Sequence, residues 1–207
     1  PTPLSEDQGP DLTAVKSAAA TLIPHLADGD LVVLESTTYP GTTEEVVAPI
    51  LAESGLQVPS QVKLAFSPER VDPGNATYGI TNTPKVVGGL DEASSAAARD
   101  FYSRFCDTVV VAKGAREAEL AKLLENTYRH VNIALINELA ILSHELDIDV
   151  WDAIRCAATK PFGFQAFYPG PGVGGHCIPI DPNYLSHHVR SRLGHTFRFI
   201  ELAQDIN

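Results

Sequence analysis

The feature that most constrains the fold is a long apolar stripe in the second half of the chain. Leucine, valine and tyrosine recur at intervals of three and four residues from Leu120 to Leu146, and this stretch contains neither glycine nor proline. Such spacing is typical of one face of an α-helix. It predicts a single helix of about 30 residues, far longer than the average helix of a globular protein.

Ahead of this stripe, short apolar runs alternate with stretches of helical spacing. The apolar runs lie at 31–34, 62–66, 85–89 and 108–111, and the helical patterns lie at 11–27, 44–54 and 91–105. The first run is continuously apolar, as expected of a strand that is buried on both faces of a parallel sheet. This alternation predicts an α/β layer with a mostly parallel sheet.

The rest of the chain is predicted to form helices joined by one long loop. A short helical pattern at 150–158 precedes a loop at 160–182, and a last helix begins near Asn183 and is interrupted near Gly194. Residues 1–112 carry 15 acidic and 6 basic side chains, whereas residues 113–207 carry 11 and 9. We therefore predict an α/β domain over 1–112 and an all-helical domain over 113–207.

Composition excludes several classes of protein. The chain has 207 residues, of which 44% are hydrophobic and 20% charged, so it can bury a core. The net charge of −11 and the lack of a basic run argue against nucleic acid as a partner. No apolar run approaches the roughly 20 residues of a membrane span, and the acidic start does not resemble a signal peptide. Three cysteines without C-x-x-C spacing argue against a disulfide scaffold or zinc ribbon and favour the cytoplasm.

The most specific motif is the glycine-rich segment GPGVGGHCIPIDP at 170–182. Its glycines let backbone amides approach a ligand closely, and Cys177 lies four residues before the carboxylate of Asp181. Cys177 is either a nucleophile or a loop cysteine that only packs. The segment follows an aromatic loop, and His176 and Cys177 follow it where a dinucleotide fold would have a helix. We therefore reject it as a phosphate-binding fingerprint.

Lys122 and Asn126 are four residues apart, so they share one face of the predicted long helix. An ammonium and an amide on one face can together hold a developing oxyanion. The alternative is a surface role in which Lys122 pairs with Glu119 or Glu125. Spacing alone leaves both interpretations open.

Thr37 and Glu69 follow the first two predicted strands. Ligands of an open α/β sheet bind outside the carboxyl ends of its strands, which makes both residues candidates for a binding site. The alternative is that they only cap helices or form turns.

The remaining polar and aromatic candidates are interpreted as structural. A metal site is not expected, because the neighbouring His187 and His188 cannot easily face one ion together with His176 and Cys177. Cys106 and Cys156 lie in apolar helical patterns and are expected in the core. The aromatic residues of the long loop are expected to pack within it and not to stack on bases: Phe162, Phe164, Phe167 and Tyr168.

Five segments of the chain together resemble one enzyme family. They are GPGVGGHCIPIDP at 170–182, ESTTYPGTTEE at 35–45, AFSPERVDPGN at 65–75, TPKVVGG at 83–89 and EAELAKLLENTYRHVNIALINELA at 117–140. The sequences and the order of these motifs resemble those of the UDP-glucose/GDP-mannose dehydrogenase family over nearly all of the chain. Within that family the motif sequences are most similar to those of the branch acting on UDP-N-acetylhexosamines, such as the UDP-N-acetyl-D-glucosamine 6-dehydrogenases.

The resemblance implies both a fold and a reaction. The fold is the second half of a doubly wound, parallel-sheet NAD-binding domain, followed by an all-helical dimerisation domain with a long central helix. The reaction oxidises the primary alcohol at C6 of a nucleotide sugar to a carboxylate, with two NAD+ and one water and without release of the aldehyde. The resemblance also implies a homodimer through the long helices and a role in nucleotide-sugar metabolism and polysaccharide biosynthesis.

The resemblance also assigns catalytic roles to particular residues. Cys177 matches the nucleophile that captures the aldehyde as a thiohemiacetal and then forms a thioester. Lys122 and Asn126 match the pair that stabilises the oxyanion. Asp181 and Thr37 match residues that hold the catalytic water, and Glu69 matches a carboxylate used in thioester hydrolysis and substrate contact.

Binding positions are carried over in the same way. Thr2 and Thr37 resemble positions that contact the cofactor NAD, and no metal is implied. The segment from Phe167 to Gly170 matches the loop that wraps the sugar and its diphosphate. The full set of implied substrate-binding residues is Glu69, Lys122, Asn126, Phe167, Tyr168, Pro169, Gly170 and Gly174.

The chain also departs from the family pattern. Val71-Asp72-Pro73 replaces a segment with a second glutamate, and Ile180 replaces a lysine, which argues against UDP-glucose as the substrate. The chain lacks the family's glycine-rich NAD-binding start and its C-terminal domain, so alone it is expected to bind NAD poorly and turn over little. UDP-N-acetylmannosamine, UDP-glucose and GDP-mannose stay open as substrates, as does a non-catalytic dimerisation module.

Overall fold

A computed structural model describes residues 3, 9–72, 74–175 and 177–207. Thr2, one of the two expected cofactor contacts, lies outside these residues. The chain divides into two compact units, residues 1–123 and residues 124–207. The first unit holds a sheet with helices, and the second is helical.

The elements of the first unit follow the predicted order. Four strands are observed: β1 (Leu31–Leu34), β2 (Lys63–Phe66), β3 (Lys85–Gly89) and β4 (Val109–Val111). The helices are α1 (Thr13–Leu22), extended by a 3₁₀ turn (Ile23–His25), a π-helical turn (Thr43–Val47) that continues into α2 (Ala48–Ala52), and α3 (Glu92–Tyr102). The predicted strand–helix alternation is confirmed.

The strands form one sheet in the order β1-β2-β3-β4. β1 pairs with β2 and β3 pairs with β4 in parallel, whereas β2 and β3 are antiparallel through Ala65 opposite Gly89 and Phe66 opposite Gly88. The prediction of a mostly parallel sheet is therefore confirmed. The side chains of β1 are half-buried and not fully buried as predicted, because β1 is an edge strand in the described sheet.

One part of the core of this unit lies between the sheet and α3, and another lies between the sheet and the segment that begins at Ala115. Ala65 and Val87 from the strands pack with Ala98, Tyr102 and Cys106, all of them buried. Helix α3 begins at a defined position because the Asp91 carboxylate accepts a hydrogen bond from the Ser94 N–H at 2.7 Å. Burial of Cys106 agrees with its predicted place in the core.

The end of β3 requires glycine because another backbone segment approaches it closely. A Cβ atom on Gly88 would lie 2.1 Å from the carbonyl oxygen of Gly114, and one on Gly89 would lie 2.4 Å from the Ser95 nitrogen. Backbone atoms cannot move aside as a flexible side chain can. Gly88 therefore allows the segment before the long helix to pack on the sheet, and Gly89 allows the first turn of α3 to do so.

The long helix α4 (Ala115–Glu145) has 31 residues, which confirms the predicted single helix. It begins in the first unit and continues into the second, which also contains α5 (Val150–Ala157), α6 (Cys177–Leu193) and α7 (Arg198–Ile206). The Asp149 carboxylate caps α5 by accepting from the N–H groups of Trp151 and Asp152. The predicted break near Gly194 separates α6 from α7.

Two predictions for this half are wrong. The loop ends before Cys177 and not at Pro182, so the glycine-rich segment does lead into a helix, although no strand precedes it. Two prolines caused the error: Pro179 lies in the first turn, where a missing N–H costs nothing, and Pro182 is tolerated inside α6. Cys156, expected in the core, is exposed because Ile154 alone is buried in α5.

Candidate active site

In the first unit, polar side chains follow β1 as predicted. Thr37 is half-buried three residues after the end of the strand, and Thr38 is fully buried. The Thr38 Oγ1 atom has no hydrogen-bond partner within the part of the chain that the structure describes. Ligands of an open α/β sheet bind outside the carboxyl ends of its strands, and a hydroxyl group there can donate to or accept from a dinucleotide. These residues therefore fit one end of such a cofactor.

Glu69 lies beyond the end of β2 and is exposed. One carboxylate oxygen accepts a hydrogen bond from the Val71 N–H at 2.6 Å, and the other lies 3.7 Å from the Lys85 ammonium nitrogen. The backbone contact fixes the side chain without burying it. Glu69 is thus an oriented carboxylate in contact with solvent.

Lys85 is a buried cation at the start of β3. Its Nζ atom lies 3.1 Å from the Glu35 carboxylate and 5.0 Å from the centre of the Tyr102 ring. The Tyr102 hydroxyl also donates to Glu35, at 2.6 Å. The pKa of Tyr102 is raised mainly by burial and, to a smaller extent, by this hydrogen bond. Lys85 was not predicted as a site residue, although a lysine that opens an apolar strand was a usable signal.

Glu119 is a second residue whose role was not predicted from the sequence. It is fully buried on α4, and its carboxylate accepts from the N–H groups of Gly41 and Thr43 at 2.5 and 2.9 Å and from the Thr43 hydroxyl at 2.6 Å. Burial raises the pKa of Glu119, while these hydrogen bonds oppose the rise. The contacts attach the segment after Thr37 to the long helix.

Lys122 lies one turn before Asn126 on α4 and is half-buried. The proposed alternative in which Lys122 pairs with Glu119 is not observed, because Glu119 is bonded to Gly41 and Thr43. Among the residues that the structure describes, no carboxylate forms an ion pair with Lys122.

In the second unit, Asn126 and Asp181 are brought together from positions 55 residues apart. The Asn126 Nδ2 atom donates to the Asp181 Oδ2 atom at 2.5 Å, and both residues are buried. A buried carboxylate that accepts from an amide is held in one orientation. Cys177 is the first residue of α6 and Asp181 the fifth, so the two positions are one helical turn apart.

The five loop positions expected to bind substrate are all described. Phe167 and Pro169 are half-buried, whereas Tyr168, Gly170 and Gly174 are exposed. Residues 158–175, the described part of the loop between α5 and α6, contain no helix or strand. Its geometry therefore depends on contacts made by its side chains and backbone.

Neither a metal-binding cluster nor a membrane-spanning helix is found among the residues that the structure describes. No group of three histidine, cysteine or acidic side chains is arranged to hold a metal ion within residues 3, 9–72, 74–175 and 177–207. None of the helices in this same part of the chain is both long and apolar enough to cross a membrane.

Comparison with known proteins gives two family matches. Residues 1–106 match the NAD binding domain of the UDP-glucose/GDP-mannose dehydrogenase family, and residues 116–207 match its central domain. The two matched ranges together cover nearly the whole chain.

Individual relatives agree with this assignment. The chain is 41% identical to the UDP-N-acetyl-D-mannosamine dehydrogenase of Yersinia pestis, over 97% of the chain and 50% of the relative. It is 38% identical to the NDP-N-acetyl-D-galactosaminuronic acid dehydrogenase of Ralstonia solanacearum, over 100% of the chain and 49% of the relative.

A solved structure is also similar along the whole chain. The UDP-D-ManNAc dehydrogenase of Pyrococcus horikoshii superposes with a TM-score of 0.91 at 38% identity, covering 100% of this chain and 48% of that one. The chain spans about half the length of the curated relatives it matches. The family matches and these likenesses show that the chain belongs to the UDP-glucose/GDP-mannose dehydrogenase family.

Proposed function

We propose that the protein containing this chain oxidises the C6 hydroxymethyl group of a UDP-N-acetylhexosamine to the uronate, in an NAD-dependent four-electron reaction. The observation that carries this proposal is the buried hydrogen bond from Asn126 to Asp181. Asp181 lies on α6, the helix whose first residue is Cys177. An amide and a carboxylate fixed in this way are suited to holding an oxyanion and a water molecule. A packing role alone does not require a buried carboxylate.

In the proposed reaction Cys177 acts twice at the same carbon. Its thiolate adds to the C6 aldehyde produced by the first oxidation, forming a C–S bond and an oxyanion that is protonated to the thiohemiacetal. The second oxidation turns this adduct into a thioester without release of the aldehyde. Water then breaks the C–S bond, yields the carboxylate and returns the thiol.

Lys122 and Asn126 are the donors proposed to stabilise the C6 oxygen when it becomes negative. Each donor aimed at such an oxyanion lowers the barrier by roughly 2 to 4 kcal/mol. The lack of an ion pair between Lys122 and any described carboxylate leaves its ammonium group for this role. The bond between Asn126 and Asp181 fixes the amide orientation.

The proposed hydrolytic step uses carboxylates and a hydroxyl. Asp181 and Thr37 hold the water that attacks the thioester, and Glu69 assists as a base and contacts the substrate. Glu69 is oriented by the Val71 N–H and by Lys85, as a general base must be. An exposed carboxylate is also able to pass its proton to solvent.

NAD+ is the proposed cofactor and supplies the hydride acceptor for both oxidations when bound. Thr37 fits the cofactor end of this site, as described for the end of β1, and Thr2 is the second proposed contact. No strand, glycine-rich turn and helix of the pyrophosphate-binding type occurs in the described residues. The proposal therefore concerns the whole protein and not residues 1–207 alone.

The relatives favour an N-acetylated sugar as substrate. The proteins from Yersinia pestis and Ralstonia solanacearum are named for UDP-N-acetyl-D-mannosamine and NDP-N-acetyl-D-galactosaminuronic acid. The replacement segments at Val71-Asp72 and Ile180 point in the same direction, away from UDP-glucose. We place UDP-N-acetyl-D-mannosamine first and UDP-N-acetyl-D-glucosamine second.

A homodimer through the long helices is proposed as the assembly. Large apolar side chains on the second-unit part of α4 are exposed in the single chain, as a partner surface requires: Leu124, Leu135, Leu139, Ile141 and Leu142. The cytoplasm is the proposed location of the enzyme, because thiols such as Cys177 stay reduced there.

The substrate assignment is tested with the longest form of the protein that contains this chain. We expect NAD+ reduction with kcat/KM at least about ten-fold higher for UDP-N-acetyl-D-mannosamine than for UDP-glucose, because a pocket that pairs with the acetamido group leaves its polar groups unsatisfied without it. GDP-mannose serves as the control for the nucleotide base. A preference for UDP-glucose contradicts the assignment.

A further inference from the structure

The loop between α5 and α6, residues 158–175, is held at four points by side chains of the second unit. Tyr128 of α4 donates from its hydroxyl to the Gln165 side chain at 3.1 Å, and its ring meets the edge of Phe167 at 5.8 Å and 67°. Asn137 of α4 accepts from the Gly170 N–H at 2.9 Å. The fourth point is at Tyr168.

The Asn137 contact is rigid because both ends of the amide are occupied. Its Nδ2 atom donates to the Asn207 Oδ1 atom at 3.0 Å, and the Asn207 amide in turn donates to the His130 carbonyl oxygen at 3.1 Å. An amide bonded at both ends cannot rotate without losing both bonds. The backbone at Gly170 is therefore anchored to α4.

The contact at Tyr168 differs from the others because it is a stack of two exposed rings. Trp151, at the start of α5, lies parallel to Tyr168 with 5.9 Å between ring centres and 16° between planes. The exposed fractions are 56% for Trp151 and 58% for Tyr168, so neither ring belongs to the core. Loss of this stack is therefore expected to release the loop without unfolding the unit.

We propose that Trp151 is a positioning residue for the nucleotide sugar: its ring fixes Tyr168 and thereby the conformation of residues 167–170 that binds the substrate. Tyr128 and Asn137 hold the flanking positions of the loop, and Trp151 holds the position between them. The inference rests on the proposed function, because it assigns residues 167–170 to the substrate. It adds Trp151, which lies outside the motifs carrying the family resemblance.

The stack can be tested without substrate, because Trp151 is the one tryptophan of the sequence. Replacing Tyr168 by leucine is expected to shift the Trp151 emission maximum and intensity, since the ring next to the indole is lost. Tyr168→Phe keeps a ring and is expected to leave the emission unchanged. Phe162→Leu, at an exposed loop ring that contacts Lys160, is the matched control and is also expected to leave it unchanged.

The positioning role is tested by steady-state kinetics of the longest form of the protein with UDP-N-acetyl-D-mannosamine. Trp151→Leu is expected to raise the KM for the nucleotide sugar by about two- to ten-fold, the range that loss of one aromatic pair produces. The KM for NAD+ and the melting temperature are expected to stay unchanged. Trp151→Phe is expected to restore the wild-type KM, and Phe162→Leu is expected to have no effect.

The outcomes separate this inference from the function on which it rests. An unchanged KM in Trp151→Leu, with an active wild type, overturns the positioning role and leaves the proposed function intact. A parallel loss of kcat, affinity for NAD+ and thermal stability also overturns it, because that pattern indicates a structural role. A wild type that oxidises no nucleotide sugar overturns the proposed function and this role together, even if the emission shift is observed.

Discussion

Replacing Cys177 by alanine in the longest form of the protein is expected to lower the rate of uronate formation at least about a thousand-fold. Alanine cannot form the C–S bond on which the second oxidation depends, whereas the bond between Asn126 and Asp181 does not involve this side chain. We therefore expect the variant to release some aldehyde and to form fewer molecules of uronate than of aldehyde. Product analysis after complete conversion of the sugar measures both quantities.

The other two cysteines supply the controls for this result. Cys156 is exposed on α5, so Cys156→Ala is expected to leave uronate formation unchanged. Cys106 is buried and its Sγ lies 3.4 Å from the Ile80 carbonyl oxygen, so Cys106→Ala tests stability and not chemistry. Near-normal uronate formation by Cys177→Ala contradicts the proposed mechanism.

The second large effect is expected at Glu119. Alanine at this position removes the acceptor of three buried donors, the N–H groups of Gly41 and Thr43 and the Thr43 hydroxyl. We expect the free energy of unfolding to fall by about 3 kcal/mol, since each buried donor without a partner is costly. Urea unfolding followed by circular dichroism measures this change.

The exposed neighbour Glu117 provides a matched control on the same helix. Glu117→Ala is expected to change the free energy of unfolding by less than about 0.5 kcal/mol. Equal effects of the two substitutions contradict the role given to Glu119, because they indicate a change in helix stability alone.

The burial of Glu119 also predicts how the stability of the folded chain depends on pH. Burial raises its pKa in the folded chain above the ordinary value of 4.5, so the protonated form is favoured on folding. Its contribution to stability is therefore fully present below pH 4.5 and is lost as the pH rises through the folded pKa. Glu119→Gln is expected to remove this part of the pH dependence, and an unchanged profile contradicts the assignment.

Elements of the fold were predictable where one pattern dominated. The strand Lys85–Gly89 and the helix Ala115–Glu145 follow directly from an apolar run bounded by turn residues and from sustained helical spacing. The start of α6 was not predictable from the same rules, because prolines normally argue against a helix. The first turn tolerates Pro179, and the context of the fold overrides the cost of Pro182.

The motifs selected two candidate residues that the structure brings together. Asn126 and Asp181 were selected from separate segments, and the structure joins them by a hydrogen bond. Glu119 was considered only as a surface partner of Lys122, since spacing along a helix does not reveal what faces it from another segment. Trp151 was missed for a similar reason, because its contact with Tyr168 depends on how the loop returns to α5.

Both oxidations of the C6 carbon are proposed to take place in one active site. The most direct test is to count the NADH formed per UDP-N-acetyl-D-mannosamine consumed at complete conversion by the longest form of the protein. We expect two NADH and one uronate for each sugar. One NADH per sugar, with the aldehyde as the product, contradicts it.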